Sequence, residues 1–332
     1  MPVVSKAFRK RVEQGKFFVS LRSFYGPNIQ PFSCARSAVV MGLRTLGVSR
    51  MEEILVPPFM CQAVLSALSR TSFPVMGPSH RTRAILVFHQ FGYPQDLSIL
   101  EPIIQKNNWV VVNDCAHTLF SRYKGKEVLR WGDFTIVSFS KLYPCFLGGA
   151  LISFRKDLMV KIKENCKYVN RQDINYAKKA FMAMEQAQKD LSREENLYDI
   201  AGVYGYLPEV LSFPRKALSY LPLTKLGIEN DTLRRKNIWN IVRKLLPRRV
   251  PVCPECEVVP WAVPVKGALA ELNRAIFIIK KKIGVTLSIL HFDFARNLLQ
   301  PNYQPALIIE CSSALAEKQI LEICEELITL GF

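Results

Sequence analysis

The pattern of apolar and polar positions divides the chain into two unlike parts. From Ser33 to Ile152, short β-branched runs alternate with stretches of helical period. "ARSAVVMGLRTLGV" places Ala38, Val39, Leu43 and Leu46 on one helical face, "EEILVPPF" reads as a short buried strand stopped by two prolines, and "CQAVLSALSRTSF" returns to helix. "AILVFH" is then strand, "LSILEPIIQKNN" helix, and "WVVVND", "DFTIVSFS" and "GALISF" strands. Helices packed on each face would bury both sides of every strand, so strands that read as unbroken apolar runs predict a mostly parallel, doubly covered α/β sheet.

Beyond Phe154 the pattern changes. "RKDLMVKIKENCKYVN" and "DINYAKKAFMAMEQAQKDLSREENL" read as long polar helices, followed by a proline-studded connector over 207–223. "NDTLRRKNIWNIVRKLL" predicts a helix capped by Asn230 and Asp231. The chain closes with strands and two helices, the last carrying a stripe of Leu315, Ile320, Ile323, Leu327 and Ile328. The expected organisation is a large α/β domain over 1–225 with an N-terminal arm, and a smaller C-terminal α+β domain over 226–332.

Charge narrows the choice of partners but not the fold. A formal net charge of +17 favours anionic partners: phosphates, nucleotides, nucleic acid or an acidic membrane surface. The bland alternative is a solubilising surface. Nine cysteines without a compact framework predict reduced thiols in a cytoplasmic protein. The pair at metal spacing, Cys253 and Cys256 in "CPEC", lacks a second ligand pair, so no metal site is expected. The N-terminus lacks an apolar core of the secretory kind, and no apolar run reaches the roughly 18 to 20 residues that a spanning helix needs.

"VVVNDCAH" raises the chemical question, because a valine run buried in a sheet ends in a carboxylate. In open α/β sheets ligands bind beyond the carboxyl ends of the strands, where Asp114, His89 and Ser138 all fall. Lys141 follows an apolar strand, an environment that desolvates an ammonium and favours the neutral amine needed for attack on a carbonyl. Asp114 could hold the protonated ring nitrogen of pyridoxal phosphate. Ser138, Ser140 and the amides opening the helix at Arg36 and Ser37 could hold a phosphate. Each piece also has an ordinary structural reading, since a buried aspartate at a strand end is as often a cap for the next turn.

From Cys34 to Ser153 five segments, in order, resemble the DegT/DnrJ group of sugar aminotransferases. "CARSAVVMGL" looks like the helix-opening phosphate segment, "ILVPPFMCQAVLSAL" like the strand and turn beneath the cofactor ring, and "VFHQFGYPQDL" like the following strand and loop. "VVVNDCAHTLFSRYKGKEVLRWGDFTIVSFS" looks like the acidic strand end with its serine strand, and "KLYPCFLGGALIS" like the lysine loop with its double glycine. The resemblance implies the aspartate-aminotransferase fold, pyridoxal 5'-phosphate as cofactor, and a homodimer. It implies Lys141 as the Schiff-base lysine, Asp114 on the pyridine nitrogen and His117 on the phenolic oxygen. Ser138, Ser140, Arg36 and Ser37 would lie at the phosphate, and Phe59 or Cys61 near the ring face.

The activity implied is transfer of an amino group, from a donor such as glutamate, to a keto-sugar on a nucleotide or other diphosphate carrier, in the cytoplasm. The serine-to-lysine spacing is shorter than is usual in the family, and Cys61 stands where an aromatic is frequent. Those departures motivate a second reading, a non-catalytic or regulatory relative that binds a sugar nucleotide. A third reading is peripheral contact with an anionic inner-membrane face through basic segments, with Ile238, Trp239 and Leu245 of a basic helix offered to the interface; the alternative for that helix is a core-facing stripe with a solvated basic back. Nucleic acid is the least supported partner, since no recognition motif accompanies the charge.

Overall fold

The computed structural model describes residues 24–32, 34–143, 148–166, 225–311 and 315–332. Its elements, in chain order, are β1 (Ile29–Phe32), α1 (Ala35–Thr45), β2 (Glu53–Leu55), α2 (Gln62–Leu68), β3 (Phe73–Val75), β4 (Thr82–Phe88), α3 (Leu97–Asn107) and β5 (Val110–Asp114). There follow β6 (Arg122–Tyr123), β7 (Lys126–Glu127), β8 (Phe134–Ser138), α4 (Phe139–Leu142), β9 (Gly149–Ile152) and α5 (Lys156–Asn165). The later part holds α6 (Lys225–Leu245), β10 (Cys256–Glu257), β11 (Ala262–Lys266), α7 (Leu269–Ile283), β12 (Ser288–Asp293), β13 (Tyr303–Glu310) and α8 (Glu317–Thr329).

Seven strands form the main sheet in the order β1-β9-β8-β5-β4-β2-β3. The pairs from β8 through β5, β4 and β2 to β3 are parallel, and β9 runs antiparallel between β1 and β8. The valine run shows why such strands look continuously apolar. Val110 and Val112 join the core with Val39, Leu43, Leu86, Phe134 and Ile162, while Val111 faces the opposite layer with Ile85, Leu97, Leu100 and Val137. Both faces are covered, so burial of each such side chain contributes about 1.5–3 kcal/mol. The expected mostly parallel α/β sheet is borne out.

A second core surrounds the antiparallel sheet β11-β13-β12. Leu272, Ala275 and Ile279 of α7 and Ile320, Ile323 and Leu327 of α8 pack into it, as do Ile238, Trp239 and Val242 of α6. This corrects the interfacial reading of the basic helix: Ile238 is fully buried, Trp239 nearly so and bonded through its indole nitrogen to the Tyr93 hydroxyl at 2.9 Å, and Leu245 packs at the core's edge. These three side chains are taken by the core and are not offered to an interface. No helix among the described residues is long and apolar enough to cross one.

Other expectations change in detail. α6 begins at Lys225, so Asn230 and Asp231 lie within it and Asp231 pairs with Arg234 and Arg235 instead of capping. The helix expected to run to Phe73 stops at Leu68, and Phe73–Val75 becomes an edge strand that tolerates Pro74. Cys253 and Cys256, whose Cα atoms are 5.3 Å apart, are joined in a disulfide, contrary to the expectation of reduced thiols; the two-residue spacing on a turn brings them within bridging distance. The polar helix over 173–197 and the connector over 207–223 lie outside the described residues.

Candidate active site

Asp114 ends β5 and is 4% exposed, so water reaches little of its carboxylate. The Ala116 amide donates to its Oδ1 at 2.9 Å, which tightens the turn after the strand. Burial raises the carboxyl to about 6, against the opposing influence of Lys141 and of the Ala116 amide. The same turn carries His117 back over the strand end. Its ring packs against Phe91 at 5.7 Å and Trp261 at 4.8 Å, two rings that also lie 5.7 Å from each other, with Phe88 edge-on at 4.9 Å.

β8 stops at Ser138, earlier than the expected strand, and the short turn α4 carries Lys141 over the sheet's carboxyl edge. Two glycines make that turn possible. Gly148 adopts a φ of 133°, a conformation costly for any side chain, and its carbonyl accepts the Phe139 amide at 2.9 Å. A Cβ on Gly149 would collide with the backbone of Cys34 and Ala35, so its absence lets the start of α1 lie against β9. The phosphate-type helix opening and the lysine turn are thereby held together.

The Lys141 amine lies 2.8 Å from Nε2 of His117. The geometry assigns the proton between them. Nδ1 of His117 accepts the Phe91 amide at 3.0 Å, so a neutral ring carries its hydrogen on Nε2 and donates it toward Lys141. An amine that accepts a hydrogen bond is neutral. Burial, the larger cause, pushes His117 well below its ordinary value and so keeps the ring neutral, and any positive charge on Lys141 would push it the same way. Loss of solvation at the nitrogen lowers Lys141, with Asp114 and Cys61 opposing and Arg36 adding to the fall, although the residue as a whole is exposed at the rim.

Five of the expected residues thus converge, Asp114, His117, Lys141, Arg36 and Cys61, and Ser138 ends β8 three residues before Lys141. Arg36 and Ser37 are both buried in the first turn of α1, and the Ser37 hydroxyl lies 3.3 Å from Sγ of Cys34. The backbone of Ser140 sits within α4. Phe59 behaves differently. It is 53% exposed, stacks on His291 at 4.6 Å and tilts against Tyr303 at 4.7 Å, so it joins the main sheet's loop to β12 and β13, while Cys61 lies within electrostatic reach of Lys141.

His89, at another strand end, is turned inward. Nδ1 accepts the Gln95 amide, Nε2 bonds Asn113 Oδ1 at 2.6 Å, and burial pushes its pKa down to about 4. The sequence pointed to the position but not to this structural role. No role was read from the sequence for Phe91, although it lies within the quoted segment "VFHQFGYPQDL", or for Trp261, which lies outside all five segments; the aromatic "PW" after β10 was the available signal for the second.

A sheet of this order, with a lysine turn and an acidic strand end meeting at its carboxyl edge, defines an aminotransferase-type α/β fold. The resemblance drawn from the sequence is borne out: the model of the DegT/DnrJ/EryC1/StrS aminotransferase family matches residues 79–188. The chain is 28% identical over 198 residues to GDP-perosamine synthase of Escherichia coli O157:H7, covering 49% of this chain and 54% of that protein. It is 27% identical over 202 residues to dTDP-4-amino-4,6-dideoxy-D-glucose transaminase of Shigella dysenteriae, covering 52% and 54%. The chain thus spans about half the length of these curated relatives. Among solved structures it matches the apo-form of the putative sugar aminotransferase Spr1654 from Streptococcus pneumoniae with a TM-score of 0.66 at 16% identity, covering 96% of this chain and 90% of that one. DesV of S. venezuelae matches with a TM-score of 0.65 at 16% identity, covering 98% and 91%. At such identities the structural likeness speaks for the fold.

Proposed function

We propose that this chain is a pyridoxal-phosphate-dependent aminotransferase that moves an amino group onto a keto-sugar carried on a nucleotide or other diphosphate. The observation that carries the reading is the Lys141 amine, held neutral against His117 and within electrostatic reach of the Asp114 carboxyl. The donor set fits the cofactor: an amine for its aldehyde, a carboxyl for its ring nitrogen, an imidazole N–H for its phenolic oxygen, and the opening of α1 with Arg36 and Ser37 for its phosphate. Pyridoxal phosphate, when bound, supplies an electron sink for the bond broken at the amino-bearing carbon.

The chain's own residues do the rest. Asp114, in a site that excludes water, would hold positive charge on the ring nitrogen opposite. His117, packed against Phe91 and Trp261, would turn toward the phenolic oxygen the N–H that meets Lys141 in the cofactor-free protein. Lys141 would then take the proton from the amino-bearing carbon of the donor and return it on the other side of the exchange. The basic surplus would draw in a diphosphate substrate by screened long-range attraction. Glutamate as donor, a homodimeric state and a cytoplasmic setting are part of the same proposal and rest on the family resemblance.

Reconstitution with pyridoxal phosphate tests the reading. The expected result is an absorbance band in the near-ultraviolet to violet that Lys141→Ala abolishes; no band in the wild-type protein overturns it. Tight binding of a sugar nucleotide without any such band would favour the non-catalytic relative.

A further inference from the structure

Behind the candidate site a buried arginine closes a circuit of contacts that no strand-end rule or motif picks out. Arg235, on α6, is 4% exposed. Its Nε donates to Asp231 Oδ2 at 2.6 Å, its Nη2 to the carbonyl of Leu142 at 2.5 Å, and its Nη1 to the carbonyl of Pro260 at 3.3 Å. Leu142 is the residue after Lys141. Pro260 precedes Trp261, which stacks on His117 and whose amide donates to the Phe91 carbonyl at 2.9 Å. The Phe91 amide in turn donates to His117, and His117 meets Lys141. From Arg235 the path runs through Pro260, Trp261, Phe91, His117, Lys141 and Leu142, and returns to Arg235.

We propose that Arg235 is a positioning residue for this site, holding the Lys141 turn and the Trp261–His117 stack at one fixed separation. The inference rests on the reading of Lys141 as the reactive amine. Only a guanidinium meets the geometry: one planar group must donate in three directions, to a carboxylate and to two carbonyls that belong to separate segments. A lysine has the charge but not the fork. The Asp231 carboxylate compensates the buried charge, and each of the three guanidinium nitrogens has an acceptor, so the group is not an uncompensated ion. Through its neighbour Arg234, which donates to the Cys311 carbonyl just beyond β13, the same helix also grips the C-terminal sheet.

The test reads the Lys141 amine in cofactor-free protein. Competitive acylation across a pH series, with peptide mass spectrometry, gives the midpoint at which Lys141 becomes reactive; the charged or titratable groups facing it are His117, Asp114, Arg36 and Cys61. The expected result is a midpoint in wild type below that of surface lysines. In Arg235→Met it moves up toward the ordinary lysine value, slowing labelling at neutral pH by about tenfold for each pH unit of the move. Arg235→Lys should fall between, and Lys236→Ala, on the exposed side of the helix, should match wild type. A folded Arg235→Met protein, or Arg235→Lys if the methionine variant does not fold, with an unmoved Lys141 midpoint overturns the proposal. A shifted midpoint in a protein whose wild type never forms the cofactor band sinks the aminotransferase reading and leaves the positioning role standing.

Discussion

The carboxyl edge of the parallel sheet and the antiparallel sheet at the C-terminus are both well buried, yet they are built from opposite materials. Around β13 the buried side chains are Ala306, Leu307, Ile308 and Ile309, with Leu272, Ile279, Ile320 and Ile323 beyond them. At the end of β5 the buried side chains are Asn113, Asp114, His117 and, one strand over, His89. Apolar burial is favourable wherever it occurs, so the first region needs only shape. Ionisable groups are unfavourable to bury unless something compensates them, so the second needs partners: Asn113 for His89, the Ala116 amide for Asp114, the Phe91 amide for His117. The difference separates stability from chemistry. The pH-dependent groups cluster where a ligand would sit, and the apolar sheet frames them.

The largest expected effect breaks this comparison from the chemical side. Lys141→Ala should lower turnover by about a thousandfold or more, because under the proposed function the residue would serve both as attachment point and as proton carrier. Its melting temperature should stay level or rise, since a desolvated amine beside Arg36 is removed. Thermal unfolding beside a turnover assay checks both; a large drop in stability would mean that the lysine holds up the fold.

The converse comes from the apolar side. Leu307→Ala, at a fully buried position in β13, should cost about 2–5 kcal/mol. Denaturant unfolding measures it, and the Lys141 acylation midpoint in the folded fraction should not move.

A pH series sharpens the contrast. The Asp114 carboxyl titrates near 6 when folded and about 4 when unfolded, so the native state keeps a proton that the unfolded chain has lost, and this group adds stability as pH falls from 6 toward 4. His89 acts in the opposite sense. Its folded value near 4 lies below the unfolded value of about 6.5, so its contribution is lost as pH falls through that window. In the wild type the two trends oppose each other. Asp114→Asn should expose the histidine trend and steepen the acid loss between pH 6 and 4 by up to roughly 3 kcal/mol. An unchanged slope in apo protein would show that the carboxyl does not titrate there.

The smallest effect is on the surface of the C-terminal part. Lys282 reaches Glu326 at 2.8 Å between α7 and α8, but the lysine is 58% exposed. Lys282→Ala should change stability by no more than about 1 kcal/mol, and less at high salt.

Much of the main sheet was legible because a strand covered on both faces must be apolar at consecutive positions, as Val110 to Val112 are. The end of β8 was not legible: Phe139 continues the apolar run in sequence, whereas in the fold its carbonyl accepts the Tyr143 amide at 2.8 Å and opens a helical turn. Edge and hairpin strands β3, β6, β7 and β10 are too short to carry a period. For the site, Asp114 and Lys141 could be paired because the family resemblance preserves their order and their distance to the double glycine. Trp261 and Arg235 could not, since the first lies 144 residues beyond His117 and the second 93 beyond Leu142.

By itself, the amino-acid order determined the parallel sheet, the strand end at which a carboxylate would stand, and the identity of the amine that would face it, since periodicity and motif spacing are local properties of a chain. Which protonation that amine adopts was decided only in three dimensions. Phe91 had to reach one nitrogen of His117 so that the other could turn its hydrogen toward Lys141, and Arg235 had to bridge two segments that lie far apart along the chain. Hydrogen-bond direction and desolvation depend on what is packed within a few ångströms, and no linear pattern records that.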